Sequence, residues 1–236
     1  MSGKPTHPPS PAFTLVVPAY NEADRIPLLL SQIAGAEGEF IFVCEGNDET
    51  QRLVLEFAGA HPEMTIRCLH RPERLGKGGA IREGMAIASA PLVGYMDADA
   101  STSFSQMRDL FSLIDDADGV IGSRWVQGAV LEKPQGLSRR IESRIFNCIV
   151  RLLFGLPFRD TQCGAKVFKK SAIDAVIREM VSSGFEFDVE LLWRLKRRGF
   201  CIREHPIAWR DTSSSNVRGT DGFRMLANLV RLRLGA

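Results

Sequence analysis

Residues 92–102 read Leu92-Val-Gly-Tyr-Met-Asp97-Ala-Asp99-Ala-Ser-Thr102. The apolar run Leu92 to Met96 has the length and composition of a buried strand. Two carboxylates, Asp97 and Asp99, follow it with the small Ala98 between them. Side chains at i and i+2 of a strand share a face, so both carboxylates would reach one cation at the strand's C-terminal end. Two carboxylates leave most of the octahedral shell of Mg²⁺ or Mn²⁺ to water and phosphate oxygens, which makes this a place to hold a metal diphosphate. Acidic pairs also occur in ordinary turns, so the flanking chain has to decide between the two.

Upstream, strand and helix patterns alternate. Phe13-Thr-Leu-Val-Val-Pro18 predicts a first strand, and Asn21 a helix N-cap ahead of the apolar face Ile26, Leu29, Leu30, Ile33. Phe40 to Cys44 predicts a second strand that enters the turn Glu45-Gly46-Asn47-Asp48, followed by a helix over 49–58. Met64 to Leu69 predicts a third strand, then a polar glycine-rich loop over 70–79 and a helix over 80–88. The absence of hairpin signals argues for an α/β fold, a mostly parallel central sheet flanked by helices. Ligands of such sheets bind at the C-terminal ends of the strands. Tyr20-Asn21-Glu22, Glu45 to Asp48, the glycine-rich loop and Asp97/Asp99 all fall there.

Downstream the pattern is less regular. A helix is expected over 104–114, a strand over 119–122 and a long polar loop from Ser123 to Ser138. Ile141 to Phe154 predicts an apolar helix punctuated by Arg144 and Arg151, with Arg139 and Arg140 just ahead of it. A turn at 160–164, a strand at 165–168, a helix capped by Ser171, a helix from 185 to 198, a strand from Cys201 to Trp209 and an amphipathic helix from 223 to 234 complete the chain.

The 236 residues suffice for one α/β domain with a full core, and 44% hydrophobic with 25% charged residues is ordinary for a globular protein. The expected organisation is a flexible tail over 1–12 and one domain over 13–236, divided into halves at 123/124. The net charge of +2 conceals an asymmetry. Residues 1–123 carry 9 Lys and Arg against 17 Asp and Glu, and residues 124–236 carry 21 against 11. The second half therefore favours anions, unless the excess is spread over solvated helix faces. Cys44, Cys68, Cys148, Cys163 and Cys201 form no Cys-x-x-Cys pair, so a thiolate zinc site or a disulfide framework is not expected and a reducing cytoplasm is the simpler setting. The first twelve residues read as a tail and not as a signal peptide, and no apolar run reaches about 18 residues, so no membrane-spanning helix is expected.

Several groups could do chemistry. In Arg71-Pro-Glu-Arg-Leu-Gly-Lys-Gly-Gly-Ala80, glycines ahead of a helix with Lys77 among them can cradle an anion or simply connect two elements. The run is neither a Walker A loop, since Gly79 stands where Ser or Thr is required, nor a dinucleotide fingerprint, which fails at Ile81. Arg124, Arg139 and Arg140 offer forks for phosphate. Asp188 and Glu190 open a helix, where they could serve a substrate or complement the helix dipole. The last helix could lie on an anionic membrane surface or pack on the sheet. Serine hydrolysis has no support, lacking a Gly-x-Ser-x-Gly elbow, and nucleic-acid binding none, lacking a recognition motif.

Val-Val-Pro-Ala-Tyr-Asn-Glu (16–22), Gly-Lys-Gly-Gly-Ala-Ile-Arg (76–82) and Asp-Ala-Asp (97–99) together resemble the donor-site series of family-2 glycosyltransferases of the GT-A fold. Gly-Ser-Arg (122–124), Arg-Asp-Thr-Gln-Cys-Gly-Ala-Lys (159–166), Phe-Asp-Val-Glu-Leu-Leu (187–192) and Pro-Ile-x-Trp (206–209) are similar to the dolichyl-phosphate glucosyltransferase and mannose synthase branch. The resemblance implies inverting transfer of a hexose from UDP-glucose or GDP-mannose to a polyprenyl phosphate, at the cytoplasmic membrane face. It implies donor contacts at Pro18, Ala19, Tyr20, Glu22, Glu45, Lys77 and Gly78 besides Asp97, Ala98 and Asp99, with Mg²⁺ or Mn²⁺ on Asp97 and Asp99. Arg124, Arg139, Arg140, Ser143 and Gln162 would meet acceptor or phosphate, and Asp188 would position the acceptor or a basic residue without being an essential base. Cys44-Glu45-Gly46-Asn47 stands where the family commonly has Asp-Asp-Gly-Ser, which makes Glu45 the substitute reader of a uridine or guanosine base. Many relatives add C-terminal membrane helices that are not seen in this sequence. Transfer to a soluble acceptor, and donor binding without turnover, are the competing readings.

Overall fold

The computed structural model describes residues 11–133, 137–210 and 219–235, and only the backbone course of 133, 137–143 and 219–224. The first half keeps the expected alternation: β1 (Phe13–Tyr20), α1 (Ile26–Ile33), β2 (Glu39–Glu45), α2 (Thr50–Ala60), β3 (Thr65–Arg71), α3 (Lys77–Ala86), β4 (Leu92–Met96), α4 (Phe104–Ser112) and β5 (Gly119–Ser123). Then follow β6 (Val130–Lys133), α5 (Leu137–Phe154), β7 (Ala165–Lys169), α6 (Lys170–Val176), a 3₁₀ turn (Ile177–Glu179), α7 (Phe187–Arg197), β8 (Ile202–Pro206), β9 (Ala208–Arg210) and α8 (Gly219–Leu234).

Seven strands form one sheet in the order β3-β2-β1-β4-β7-β5-β8. A parallel strand inside a sheet is covered on both faces, and the packing of β1 shows it. Leu15, Val17 and Ala19 enter a core shared with α1, α2 and α4, whereas Val16 enters the opposite core with α3, α5, α6 and α7. On α1 the predicted face Ile26, Leu29, Leu30 and Ile33 is buried, each side chain contributing about 1.5–3 kcal/mol.

The structure departs from expectation in several places, most of them in the second half. β7 runs antiparallel between β4 and β5, so a strand from late in the chain is inserted beside the strand that carries the aspartates. The segment read as one strand over 201–209 divides at Ile207. That residue is buried, β8 stays in the large sheet beside β5, and β9 pairs with β6, a strand hidden in the expected polar loop. The cap of α1 is Arg25 and not Asn21, which takes φ 51° in the turn after β1. The cap of α6 is Lys169 and not Ser171.

The order β2-β1-β4 places the topological switch between β1 and β4. Their outgoing loops diverge there and leave a crevice at the carboxyl ends of the strands. No helix among the described residues is long and apolar enough to cross a membrane.

Candidate active site

The crevice is built from four strand ends. Strand β4 stops at Met96, and residues 97–100 form a turn in which Ala100 takes φ 53°. The two aspartates are therefore set by a turn and not by strand alternation. Asp99 Oδ1 accepts the Ser101 amide at 2.9 Å, which fixes the turn. Asp97 packs against the backbone of Gly164, in the loop entering β7, so closely that a β-carbon there would lie 1.9 Å from Asp97 Oδ2. The inserted antiparallel strand thus shapes the pocket of the first aspartate.

At the end of β1, Glu22 is buried, and its carboxylate contacts Arg25 at 2.5 Å. Burial raises its pKa; Arg25 opposes this, but the negative charges of Asp99 and Asp97 add to it, and the carboxyl is pushed up to about 7. Three carboxylates from β1 and β4 therefore share one electrostatic environment. Tyr20 lies beneath the Arg74 guanidinium, 4.2 Å from the ring centre. Asp48 accepts the amides of Ala23 and Thr50, each at 3.0 Å, tying the loops after β1 and β2 together. Pro18 and Ala19 lie in β1 just ahead of these groups.

Glu45 is buried, and its Oε2 accepts the amides of Leu75 at 2.7 Å and Gly76 at 3.1 Å. The residue expected to read a base spends this oxygen on holding the glycine-rich loop; burial raises its pKa despite those two amides. The loop also ends earlier than expected. Helix α3 starts at Lys77, capped by Gly76 at φ 78°, whose Cα is packed against the Ser183 carbonyl. Gly79 is therefore helical, and its amide donates to the Ser183 oxygen at 3.1 Å instead of facing an anion. Lys77 and Gly78 remain at the helix mouth.

The Lys77 ammonium reaches Asp97 Oδ1 at 2.7 Å and Asp188 Oδ2 at 3.7 Å. Burial alone would lower its pKa, but Asp97 and Asp188 reverse the sign and hold it above the ordinary lysine value. Asp188 is almost fully buried at the head of α7. Its Oδ1 accepts from the Tyr95 hydroxyl and from Lys166 Nζ at 2.5 Å. Burial would raise the Asp188 pKa, yet Lys166 and Lys77 hold it below the ordinary range. Lys166 is inaccessible to solvent and also donates to the Cys163 carbonyl at 2.5 Å. Sequence reasoning placed Lys166 only within a motif and gave it no part. A lysine in an otherwise apolar strand, Ala165 to Phe168, was the available signal, because such a charge needs a buried partner.

Arg124 is ion-paired. Its fork is closed on the buried Asp160, with Nε to Oδ2 at 2.7 Å and Nη2 to Oδ1 at 2.9 Å. Burial lowers the Arg124 pKa less than Asp160 raises it, and the guanidinium stays charged. This pair braces the loop before β7, the loop that also supplies Gly164. Gln162 lies on that loop, with Nε2 3.7 Å from Met225 Sδ of α8. The side chains of Arg139, Arg140 and Ser143 lie outside the described residues.

The donor set suits a hard divalent cation. Asp97 and Asp99 offer oxygen only, and no group of three or more His, Cys, Asp or Glu that could hold a metal occurs among the described residues. Water and phosphate oxygens would complete such a shell. The five cysteines are free, and Cys44 and Cys68 on adjacent strands bring their sulfurs to 3.6 Å.

Comparison with known proteins follows the same line. The family described as glycosyl transferase family 2 matches residues 14–177, more than half of the chain. Glycosyltransferase AglD of Haloferax volcanii is 30% identical over 215 residues, covering 86% of this chain and 34% of that protein. The dolichyl-phosphate beta-glucosyltransferase of Saccharomyces cerevisiae is 28% identical over 253 residues, covering 94% of this chain and 74% of that enzyme. The chain thus spans only about a third of the first relative. Among solved structures, glucosyl-3-phosphoglycerate synthase from Mycobacterium tuberculosis, in complex with Mn²⁺, UDP and glucosyl-3-phosphoglycerate, superposes with a TM-score of 0.67 at 18% identity, over 95% of this chain and 80% of that one. That likeness shows the GT-A fold.

Proposed function

This chain belongs to glycosyl transferase family 2, and from that premise we propose that it is an inverting hexosyltransferase, residues 13–236 forming one catalytic domain that moves glucose or mannose from a nucleoside-diphosphate sugar to a polyprenyl phosphate. The observation that carries this is the meeting of Asp97, Asp99, Glu22 and Lys77 at the switch point of the sheet. The nucleoside would lie over Pro18, Ala19, Tyr20 and the Glu45-held loop, with the diphosphate toward Lys77 and the two aspartates. Mg²⁺ or Mn²⁺ bound by Asp97 and Asp99 would supply neutralisation of the charge that grows on the departing diphosphate.

An acceptor phosphate oxygen attacks the anomeric carbon while the bond to the diphosphate breaks and its electron pair leaves with the nucleoside diphosphate. A phosphate monoester is already anionic near neutrality, its second pKa being about 6 by analogy with phosphorylated side chains. It needs no strong general base, and Asp188 is not placed to be one, since Tyr95, Lys166 and Lys77 surround its carboxylate. Asp188 is a positioning residue. Asp188→Asn should keep far more of the transfer rate at saturating substrates than Asp97→Ala.

A lipid acceptor is favoured over a soluble one by the surface of α5 and α8. Asn147, Val150 and Phe154 of α5 face the core, whereas Ile145, Ile149 and Leu152 face outward. Leu152 is 81% exposed and Leu234 of α8 82% exposed, with Arg151, Arg231 and Arg233 exposed alongside. Apolar side chains bordered by arginine suit an anionic membrane surface. The test is transfer from UDP-glucose and from GDP-mannose to a detergent-dispersed polyprenyl phosphate, against 3-phosphoglycerate as the soluble alternative. Label in the lipid alone supports the reading; label in phosphoglycerate alone overturns it.

A further inference from the structure

Asp97 is asked to serve two cations. Lys77 Nζ lies 2.7 Å from Asp97 Oδ1 and is only 11% exposed, so its ammonium has little water to fall back on. A divalent ion on the same carboxylate would sit within a few ångströms of that ammonium, where like charges repel strongly at low effective dielectric. Among the described residues, Asp188 is the other carboxylate within 4 Å of the lysine. Asp188 Oδ1 is engaged by Tyr95 and Lys166, while Oδ2 faces Lys77 across 3.7 Å, about 0.5 Å beyond the hydrogen-bond range. Asp188 is buried and held from its far side, so it is a fixed receiver, whereas Asp97 is 35% exposed toward the crevice.

We propose that Lys77 and the divalent metal compete for Asp97, and that Asp188 Oδ2 receives the ammonium when the metal takes Asp97. The exchange deepens the donor-site reading above and rests on it. It assigns the network Tyr95, Lys166 and Asp188 a purpose: to keep a second anionic berth beside the metal carboxylate. It also makes metal binding depend on the donor. The metal alone must displace a buried ion pair, whereas a metal diphosphate brings phosphate oxygens that the released Lys77 can meet.

The experiment measures Mn²⁺ binding directly, from the electron paramagnetic resonance signal of free Mn²⁺, without nucleotide and with UDP or GDP. Lys77→Gln removes the competing charge and keeps most of the side-chain length. It should bind Mn²⁺ without nucleotide about tenfold more tightly than the unaltered protein, and should bind the Mn²⁺–nucleotide complex more weakly. Asp188→Asn removes the receiver and should weaken Mn²⁺ binding severalfold, with Asp97 and Asp99 intact. General damage to the fold would weaken metal binding in both variants, so tighter binding by Lys77→Gln is a signature that a structural role does not produce. Should Lys77→Gln fail to fold, Lys77→Met and the Asp188→Asn measurement decide. If the unaltered protein binds Mn²⁺ with nucleotide but Lys77→Gln binds Mn²⁺ alone no more tightly, the exchange is overturned while the donor site stands. If no protein binds Mn²⁺ even with either nucleotide, the donor-site reading falls and the exchange with it.

Discussion

The two halves of this molecule differ in how they hold most of their carboxylates, the Glu22–Arg25 and Asp97–Lys77 pairs of the first half apart. In the half up to Ser123, carboxylates at strand ends are tied chiefly to backbone amides: Asp48 to Ala23 and Thr50, Glu45 to Leu75 and Gly76, Asp99 to Ser101. In the half from Arg124 onward, the functional-looking charges are paired with one another in the interior, Arg124 with Asp160 and Lys166 with Asp188. Amide-held carboxylates fix loops and leave the crevice acidic, as a cation site requires. Ion-paired residues fix the inserted strand β7 and its loop, which back the crevice from behind. The excess of basic residues in the second half is therefore no census of its phosphate ligands, since Arg124 and Lys166 each have a buried carboxylate partner.

Breaking an interior pair should have the largest effect. Asp160→Ala leaves the Arg124 guanidinium buried and unpaired, at a cost of about 3–5 kcal/mol. Urea unfolding should show this as a lower midpoint with an unchanged slope, and a loss below 1 kcal/mol would mean that the pair is not the brace described.

Glu22 gives the next effect, and its sign is set by a pKa raised from 4.5 to about 7. The unfolded chain ionises first as pH rises, so stability from this group is full below pH 4.5 and is lost on going through pH 7. The loss is about 2–3 kcal/mol, and Glu22→Gln should flatten it in denaturation curves taken from pH 4.5 to 8.

On the outer face, Arg151→Gln with Arg231→Gln should weaken binding to phosphatidylserine vesicles by roughly 30-fold, at about 1 kcal/mol per arginine. Vesicle sedimentation measures it, and unchanged binding would leave the α5–α8 surface without a lipid role. The smallest effect belongs to the amide-held side. Glu45→Gln weakens two charge-assisted hydrogen bonds and should cost about 1–1.5 kcal/mol, seen as faster amide exchange at Leu75 and Gly76.

The contrast also explains what could be read in the sequence. The strand ends of the first half were legible because their signals are local: an apolar run that stops at Asp97, a turn at Glu45, glycines beside Lys77. The sequence placed these at strand ends, and they lie there. The antiparallel insertion of β7 was not legible, because it depends on pairing residues far apart, Tyr95 with Lys166 and Val120 with Val167. The ion pairs that follow from it join positions 22 and 36 residues apart, which no periodicity records. The pairing of Arg124 with Asp160 was hidden for that reason: the two are neighbours in space and not in sequence. The split of residues 201–209 into two sheets was hidden similarly, since Ile207 fits a continuous strand until its burial is known.

The central claim is a donor site at the β1/β4 crevice that works with a divalent metal. Its most direct test is thermal unfolding with UDP-glucose, GDP-mannose or UDP-N-acetylglucosamine, each with and without Mn²⁺, in the unaltered protein and in Asp99→Ala. At about a hundredfold excess over Kd, one donor should add about 2.7 kcal/mol and raise Tm by several degrees only when Mn²⁺ is present, and Asp99→Ala should abolish the shift. No shift with any donor, or a shift that survives both the omission of metal and Asp99→Ala, would contradict the account.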